Sequence, residues 1–227
     1  MKTTGGTDDQ KRRAGERAAE EVTDGDVVGL GTGSTAAHAI RAIGEAIESG
    51  LDVRGVPTSF DARRLAREAG IPLRSLDEID GIDLAIDGAD RINRDGAAIK
   101  GGGGAHAREK VVDAAADRFV AVVDPSKVVA TLSQPVPVAV LPDAYAAVER
   151  SVAGLGGEPT LRRAAAKDGP VVTDNGNLIL DCAFGAIDDP AGLDRALSAV
   201  PGAVEHGLFV DLVDAAYVGT DDGVERL

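Results

Sequence analysis

Three short stretches of this 227-residue chain hold side chains and glycines in patterns that chemistry can use. The first is Gly29-Leu-Gly31-Thr32-Gly33-Ser34-Thr35-Ala36. A glycine-rich turn running from a strand into a helix offers backbone N–H groups to an anion, and the helix dipole adds positive potential. Ser34 and Thr35 add hydroxyl donors. No lysine stands where a Walker A loop needs one. Gly31-x-Gly33-x-x-Ala36 does fit a loose dinucleotide fingerprint. That reading also needs an acid at the end of the next strand to hold a ribose, and there the chain runs Pro57-Thr58-Ser59. A phosphate monoester fits better, beside the plainer possibility that glycine serves only the sterics of a tight turn.

The second stretch, Asp87-Gly88-Ala89-Asp90, follows the apolar run IDLAI. Two carboxylates three residues apart around a glycine turn can face one crevice, where they manage protons on sugar hydroxyls or hold a cation. Each could equally cap a turn. The third stretch is Lys100-Gly101-Gly102-Gly103-Gly104, with Glu109 a little over one turn into the helix that follows. Four successive glycines are costly in chain entropy, which points to amides approaching a ligand or to an unusual turn; a flexible linker is the alternative. None of His38, His106 and His206 shares metal-ligand spacing with another, and no CxxC or HxxxH occurs, so no metal is expected.

These residues must be positioned by the elements around them. The pattern predicts a helix from about Asp8 to Glu21, a strand over 26–31, a helix through about Glu48, a strand over 53–56 and a helix over 61–69. Further strands are expected at 82–86 and 119–123 (FVAVV), with a helix over 105–116 between them. Strands alternating with helices at this spacing mean βαβ units, hence an α/β fold with a Rossmann-like parallel sheet and helices on both faces. Ligands then sit beyond the C-terminal strand ends. Near Gln134 the texture changes. Pro135, Pro137 and Pro142 mark 136–141 as an extended edge strand, and Tyr145 to Gly154 is helical. Asp174-Asn175-Gly176 is a hairpin signal between 171–173 and 177–181; a helix over 190–199 and a strand over 204–210 follow. The order β-α-β-β-α-β matches a ferredoxin-like α+β unit. The expected division is 1–134 with 208–227 as one domain, and 135–207 as a smaller inserted one.

The chain has 24 basic and 38 acidic side chains and a net charge of −14. Without a basic surplus to displace counterions from phosphates, nucleic-acid binding is excluded. Acid that is mostly aspartate, few lysines and few aromatics suggest a protein kept soluble in high salt. Cys182 is the single cysteine, read as a buried small residue in a reducing compartment. There is no secretory h-region and no run near the ~18 apolar residues of a membrane span. The expectation is a cytoplasmic protein without a membrane contact.

Taken together, GLGTGSTAAHAI (29–40), DGADRIN (87–93), KGGGGAHAREK (100–110), VVDPSK (122–127) and TDNGNLILD (173–181) resemble the type A ribose-5-phosphate isomerases, in order and spacing across essentially the whole chain. DGAD followed by KGGG and REK is highly specific. An amino-sugar-phosphate deaminase or a CoA transferase shares the glycine loop without that combination. A sugar-phosphate sensor usually comes fused to a DNA-binding unit, for which this chain has no basic extension. The one departure is His106, where leucine is expected, with an effect on packing or on local pH response.

The resemblance implies interconversion of D-ribose 5-phosphate and D-ribulose 5-phosphate through a cis-enediolate, in the non-oxidative pentose phosphate pathway, by a homodimer or homotetramer with no cofactor. It assigns Glu109 as the proton shuttle and Lys100 as the stabiliser of the enediolate oxygen. Asp87 and Asp90 would exchange protons with the ring oxygen and hydroxyls. Substrate contacts carry over to Thr32, Gly33, Ser34 and Thr35, to Gly88 and Ala89, to Gly101, Gly102 and Gly103, and to Lys127. Lys11 would complete the phosphate pocket, against the plain reading of a solvated helix lysine. The helix start and Lys100 should lower the pKa of Glu109, while desolvation and the two aspartates should raise it; which prevails depends on burial.

Overall fold

The computed structural model describes residues 5–227. Helix α1 (Asp8–Ala19) begins with a reciprocal cap: the Thr7 hydroxyl accepts from the Gln10 N–H at 3.2 Å, and the Gln10 side chain accepts from the Thr7 N–H at 2.9 Å. There follow β1 (Val27–Leu30), α2 (Ala36–Glu48), β2 (Arg54–Pro57), α3 (Phe60–Glu68), β3 (Leu84–Gly88), β4 (Arg91–Ile92), β5 (Ala98–Ile99), α4 (His106–Ala114) and β6 (Phe119–Val123). Next come β7 (Val136–Val140), α5 (Tyr145–Gly154), β8 (Glu158–Leu161), β9 (Leu178–Ala183), α6 (Pro190–Ser198) and β10 (Ala203–His206). The chain ends with β11 (Leu208–Phe209), β12 (Ala215–Gly219) and β13 (Val224–Arg226).

The main sheet has the order β13-β12-β6-β3-β1-β2. All of its neighbours are parallel except β13, an antiparallel edge strand. Strands covered on both faces read as continuous apolar runs, and β6 is buried along its whole length. On one face Ala14 and Ala18 of α1, Ile40 and Ile43 of α2 and Ala62 and Ala66 of α3 pack with Leu30, Ile86, Val120 and Val122. The other face carries Val112 of α4 and a small antiparallel sheet β11-β5-β4. The α/β architecture with helices on both faces is as the pattern indicates.

The remaining strands form the antiparallel sheet β10-β7-β9-β8. Three local expectations need correction here. The proline-bearing segment 136–141 is not an edge: β7 lies between β10 and β9. Pro137 is tolerated because its carbonyl accepts from the Gly207 N–H at 2.7 Å just beyond the end of β10, where the ladder asks no donor of it. The edges are β10 and β8, and the proline of β8, Pro159, is placed as that rule demands. β8 also replaces 171–173 as the partner of β9; Thr173 N–H bonds to Asn177 O across the turn, but no strand forms before it. Finally, 204–210 is two strands in two sheets. The break is at Gly207, where a Cβ would lie 2.0 Å from the Lys100 carbonyl oxygen.

Candidate active site

Strands β1, β3 and β6 lie side by side, so their C-terminal ends bring Gly31–Thr35, Asp87–Asp90 and Asp124–Lys127 to one edge of the sheet. Thr32 is pinned by hydroxyls at the end of β2: its Oγ1 lies 3.0 Å from Thr58 Oγ1 and donates to Ser59 Oγ at 2.7 Å. Hydroxyls thus occupy the strand end where a dinucleotide fold needs its acid. The loop leads into α2, whose first amides have no preceding carbonyl within the helix. Asp87 lies beneath, fully buried, with Oδ1 accepting from the N–H groups of Thr32 (2.8 Å) and Gly88 (2.6 Å). The approach is so close that a Cβ on residue 31 would sit 2.3 Å from the Asp87 carboxyl carbon, which makes glycine obligatory there.

Lys100 ends the strand β5 and is 2% exposed. Its Nζ donates to Gly88 O at 2.7 Å and pairs with Asp87 Oδ2 at 2.8 Å, Asp113 Oδ2 at 3.4 Å and Glu109 Oε2 at 3.6 Å. The Phe119 and Phe209 rings flank the ammonium, with centroids at 5.4 and 5.2 Å. Burial opposes its charge, but the three carboxylates outweigh burial and hold it well above its ordinary range. Glu109, 6% exposed, has its carboxyl pushed well above the usual range by burial; Lys100 pulls against that, and Asp87, Asp113 and Asp90 push with it. Burial therefore prevails over the helix start and the lysine.

Asp90 caps the glycine run, its Oδ2 accepting from the Gly102 N–H at 2.6 Å. From the far side Arg162, which follows β8, donates from Nη1 to the carbonyls of Gly101 (2.9 Å) and Gly102 (3.3 Å) and from Nε to Asp181 Oδ2 of β9 (2.8 Å). The four glycines are therefore a held turn between two regular elements. Lys127 is buried beside Asp124; burial lowers its pKa, opposed by Asp124 and Asp90 and aided by repulsion from Arg91 and Lys11. Lys11 of α1 is half-buried.

A cleft lies between these segments and opens to solvent. Of the residues that the resemblance assigns to catalysis or substrate contact, all but Asp87 and Lys11 line it, and Val122 adds to the wall. Asp87 lies under the loop and joins it to Lys100. Sequence reasoning missed Arg162 and Asp113. Asp113 is four residues beyond Glu109 and so on the same helix face, a signal that was there to read; Arg162 gives no local sign.

His106 is fully buried, and neither ring nitrogen has a hydrogen-bond partner. Burial first, then Arg162 and Lys110, lower its pKa to about 3, so it stays neutral over the working pH range and its effect is on packing. His206 is also buried, held at about 4 by burial and Lys110, with Ser198 Oγ 3.0 Å from its Nε2. Burial pushes the Cys182 thiol up to about 12. Among the described residues no group of three or more His, Cys, Asp or Glu is arranged to hold a metal ion, and no helix is long and apolar enough to cross a membrane.

An anion-cradling loop, a buried lysine and a cleft-facing carboxyl at the C-terminal edge of a parallel sheet define an α/β acid–base enzyme for small phosphorylated substrates. The family model described as ribose 5-phosphate isomerase A (phosphoriboisomerase A) matches residues 54–223. A ribose-5-phosphate isomerase A of Natronomonas pharaonis is 65% identical over 225 residues, covering 99% of each chain. One of Haloarcula marismortui is 64% identical, covering 97% of this chain and 96% of that one. The solved ribose 5-phosphate isomerase A of Methanocaldococcus jannaschii superposes with a TM-score of 0.94 at 47% identity, over 98% of this chain and 99% of the other. A D-ribose-5-phosphate isomerase solved in complex with phospho-erythronic acid gives 0.95 at 41% identity, with the same coverage. The chain belongs to the ribose 5-phosphate isomerase A family.

Proposed function

We propose that this chain interconverts D-ribose 5-phosphate and D-ribulose 5-phosphate, with Glu109 carrying the proton between C1 and C2 through a cis-enediolate. The observation that carries the reading is that Glu109 and Lys100 line the same cleft as the Gly31–Thr35 loop, 3.6 Å apart. The loop, with Lys127, holds the phosphate and so orients the sugar, and Lys11 adds attraction from α1. Lys100 faces the oxygen on which charge develops; it is pre-set by Asp87 and Gly88 O, so little reorganisation is needed as the reaction proceeds. A raised carboxyl pKa makes Glu109 a stronger base than an exposed glutamate, which suits proton abstraction from carbon near neutral pH. Asp90, on the cleft wall, is the aspartate placed to exchange protons with the ring oxygen; Asp87 acts through Lys100 and the loop. Phospho-erythronic acid, the ligand of the related structure, joins a phosphate to a planar carboxylate, a shape and charge close to an enediolate.

Glu109→Gln keeps the shape and removes the base. Its kcat should fall by roughly 10²–10⁴-fold, with ribose 5-phosphate still bound at near wild-type affinity by calorimetry. Near-normal turnover would overturn the assignment, as would loss of wild-type activity in EDTA. The same reading takes 1–134 with 208–227 as the catalytic part and 135–207 as an inserted one, supported by the separate antiparallel sheet β10-β7-β9-β8, whose apolar cluster around Val138, Val148 and Leu180 is completed by Ala97, Ile99, Leu132 and Leu208 of the larger part. A cytoplasmic homodimer or homotetramer is the assembly that goes with it. Leu141, Tyr145 and Val204, exposed near the open edge strand β10, support such contacts, and sedimentation equilibrium is the test.

A further inference from the structure

Three carboxyl groups surround a single ammonium in this site. Asp87, Glu109 and Asp113 lie 2.8, 3.6 and 3.4 Å from Lys100 Nζ, and all four residues are nearly or fully buried. Were all three carboxylates ionised, two negative charges would be left uncompensated against the Phe119 and Phe209 rings. Like charges so close in a dry site cannot all persist, and a proton must be retained. Asp87 is the best satisfied, with two backbone N–H donors on Oδ1 and the ammonium on Oδ2. Glu109 opens onto the cleft. Asp113, one helical turn further along α4, is 2% exposed and does not line the cleft; its Oδ2 lies 3.4 Å from the Lys100 ammonium, and its Oδ1 has no hydrogen-bond partner. Of the three it is the one that has no donor besides the ammonium and no opening to the cleft.

Resting on the isomerase reading, we propose that Asp113 is a positioning residue of this reaction. It forms with Glu109 a buried carboxyl pair that shares one proton beside Lys100, and by carrying that proton it leaves Glu109 ionised to accept one from the sugar. The groups facing the pair are Asp87 on β3, Asp90 after it, Lys100 after β5, and Lys110 on α4. Lys110 lies over the same Phe209 ring at 5.1 Å and is paired with Glu205 at 2.8 Å. Asp113 is held up to about 8, by burial first and by Asp87, against the pull of Lys100. Above that pH the pair loses its shared proton. A third carboxylate charge then stands beside Lys100, weakening its hold on the developing oxyanion and discouraging a phosphorylated substrate.

The test is a pH–rate profile of Asp113→Asn beside infrared spectra of the unliganded protein. In the wild type kcat should fall as pH rises through about 8. In Asp113→Asn that alkaline fall should move up by at least one pH unit, with KM for ribose 5-phosphate at pH 7 within about twofold. The wild type should show a protonated-carboxyl band at pH 7 that titrates away near 8 and is missing from Asp113→Asn. Superimposable pH profiles, or a band that survives the substitution, would overturn the proposal. If the variant does not fold, the wild-type band alone decides: its absence at pH 7 sinks the shared proton. A wild-type chain inactive on ribose 5-phosphate would instead sink the isomerase reading while leaving the infrared titration to judge the pair.

Discussion

Taking an ammonium out of water costs several kcal/mol, and only close, well-made partners offset it. Lys100 has them in Asp87 and Gly88 O, and the same two contacts hold it still at the cleft wall. One residue thus couples the Gly31–Thr35 loop to the buried lysine: Asp87 binds Thr32 N–H with one oxygen and Lys100 with the other. The phosphate end is simpler. Lys127 is buried beside Asp124, whereas Lys11 sits half-buried on α1 and lies outside the cleft lining. In the proposed function its part is attraction for a doubly charged group, made equally in ground and transition states. Lys11→Ala should therefore raise KM several-fold and leave kcat within about twofold, the signature of lost uniform binding. Steady-state kinetics with ribose 5-phosphate measure this, and an unchanged KM would return Lys11 to the solvated helix surface.

At the scale of elements, the glycine run depends on a side chain from another sheet. Arg162 leaves β8, pairs with Asp181 of β9 and reaches the Gly101 and Gly102 carbonyls, while Asp90 holds the Gly102 N–H from the other side. A planar guanidinium can make these bonds at once; a lysine ammonium is a point charge and cannot span them. Charge-assisted bonds of this kind contribute about 1.5–3 kcal/mol each. Arg162→Lys should lower kcat/KM by roughly tenfold or more, because Lys100 and Glu109 flank the loosened turn, with only a modest drop in Tm. A variant with wild-type kcat/KM would show that the turn is held by its backbone alone.

For the whole molecule, the net charge of −14 sets the conditions in which the fold is comfortable. Some exposed arginines are matched locally, as in the Arg12 pairs with Asp9 and Glu16 and the Arg64 pairs with Asp61 and Glu68. Such pairs are worth little each, and the unmatched aspartates repel one another across the surface. The screening length shrinks from about 10 Å at 0.1 M salt to about 3 Å at 1 M. The thermal midpoint should accordingly climb by several degrees as KCl is raised from 0.1 M to 2 M, read by differential scanning calorimetry. A flat or falling midpoint would remove the high-salt reading.

Much of this was legible along the chain. FVAVV is read to the residue because a strand buried on both faces must be apolar throughout, and the Gly31 loop and DGAD are short backbone devices whose residues stand together. The edge strand β8 was not legible, since Glu158–Leu161 shows no apolar run, and Val171–Thr173 looked more like a strand than the segment that became one. The amino-acid order alone determined which turns could cradle an anion and which apolar runs would lie side by side in a parallel sheet, because those depend on local sterics and burial. Only the tertiary fold decided that Asp87 would be hidden beneath the loop, that Arg162 would cross 61 positions to grip Gly101, and that Asp113 would crowd Lys100. Charge and solvation act through space, and no spacing along the chain fixes them until the sheets are packed.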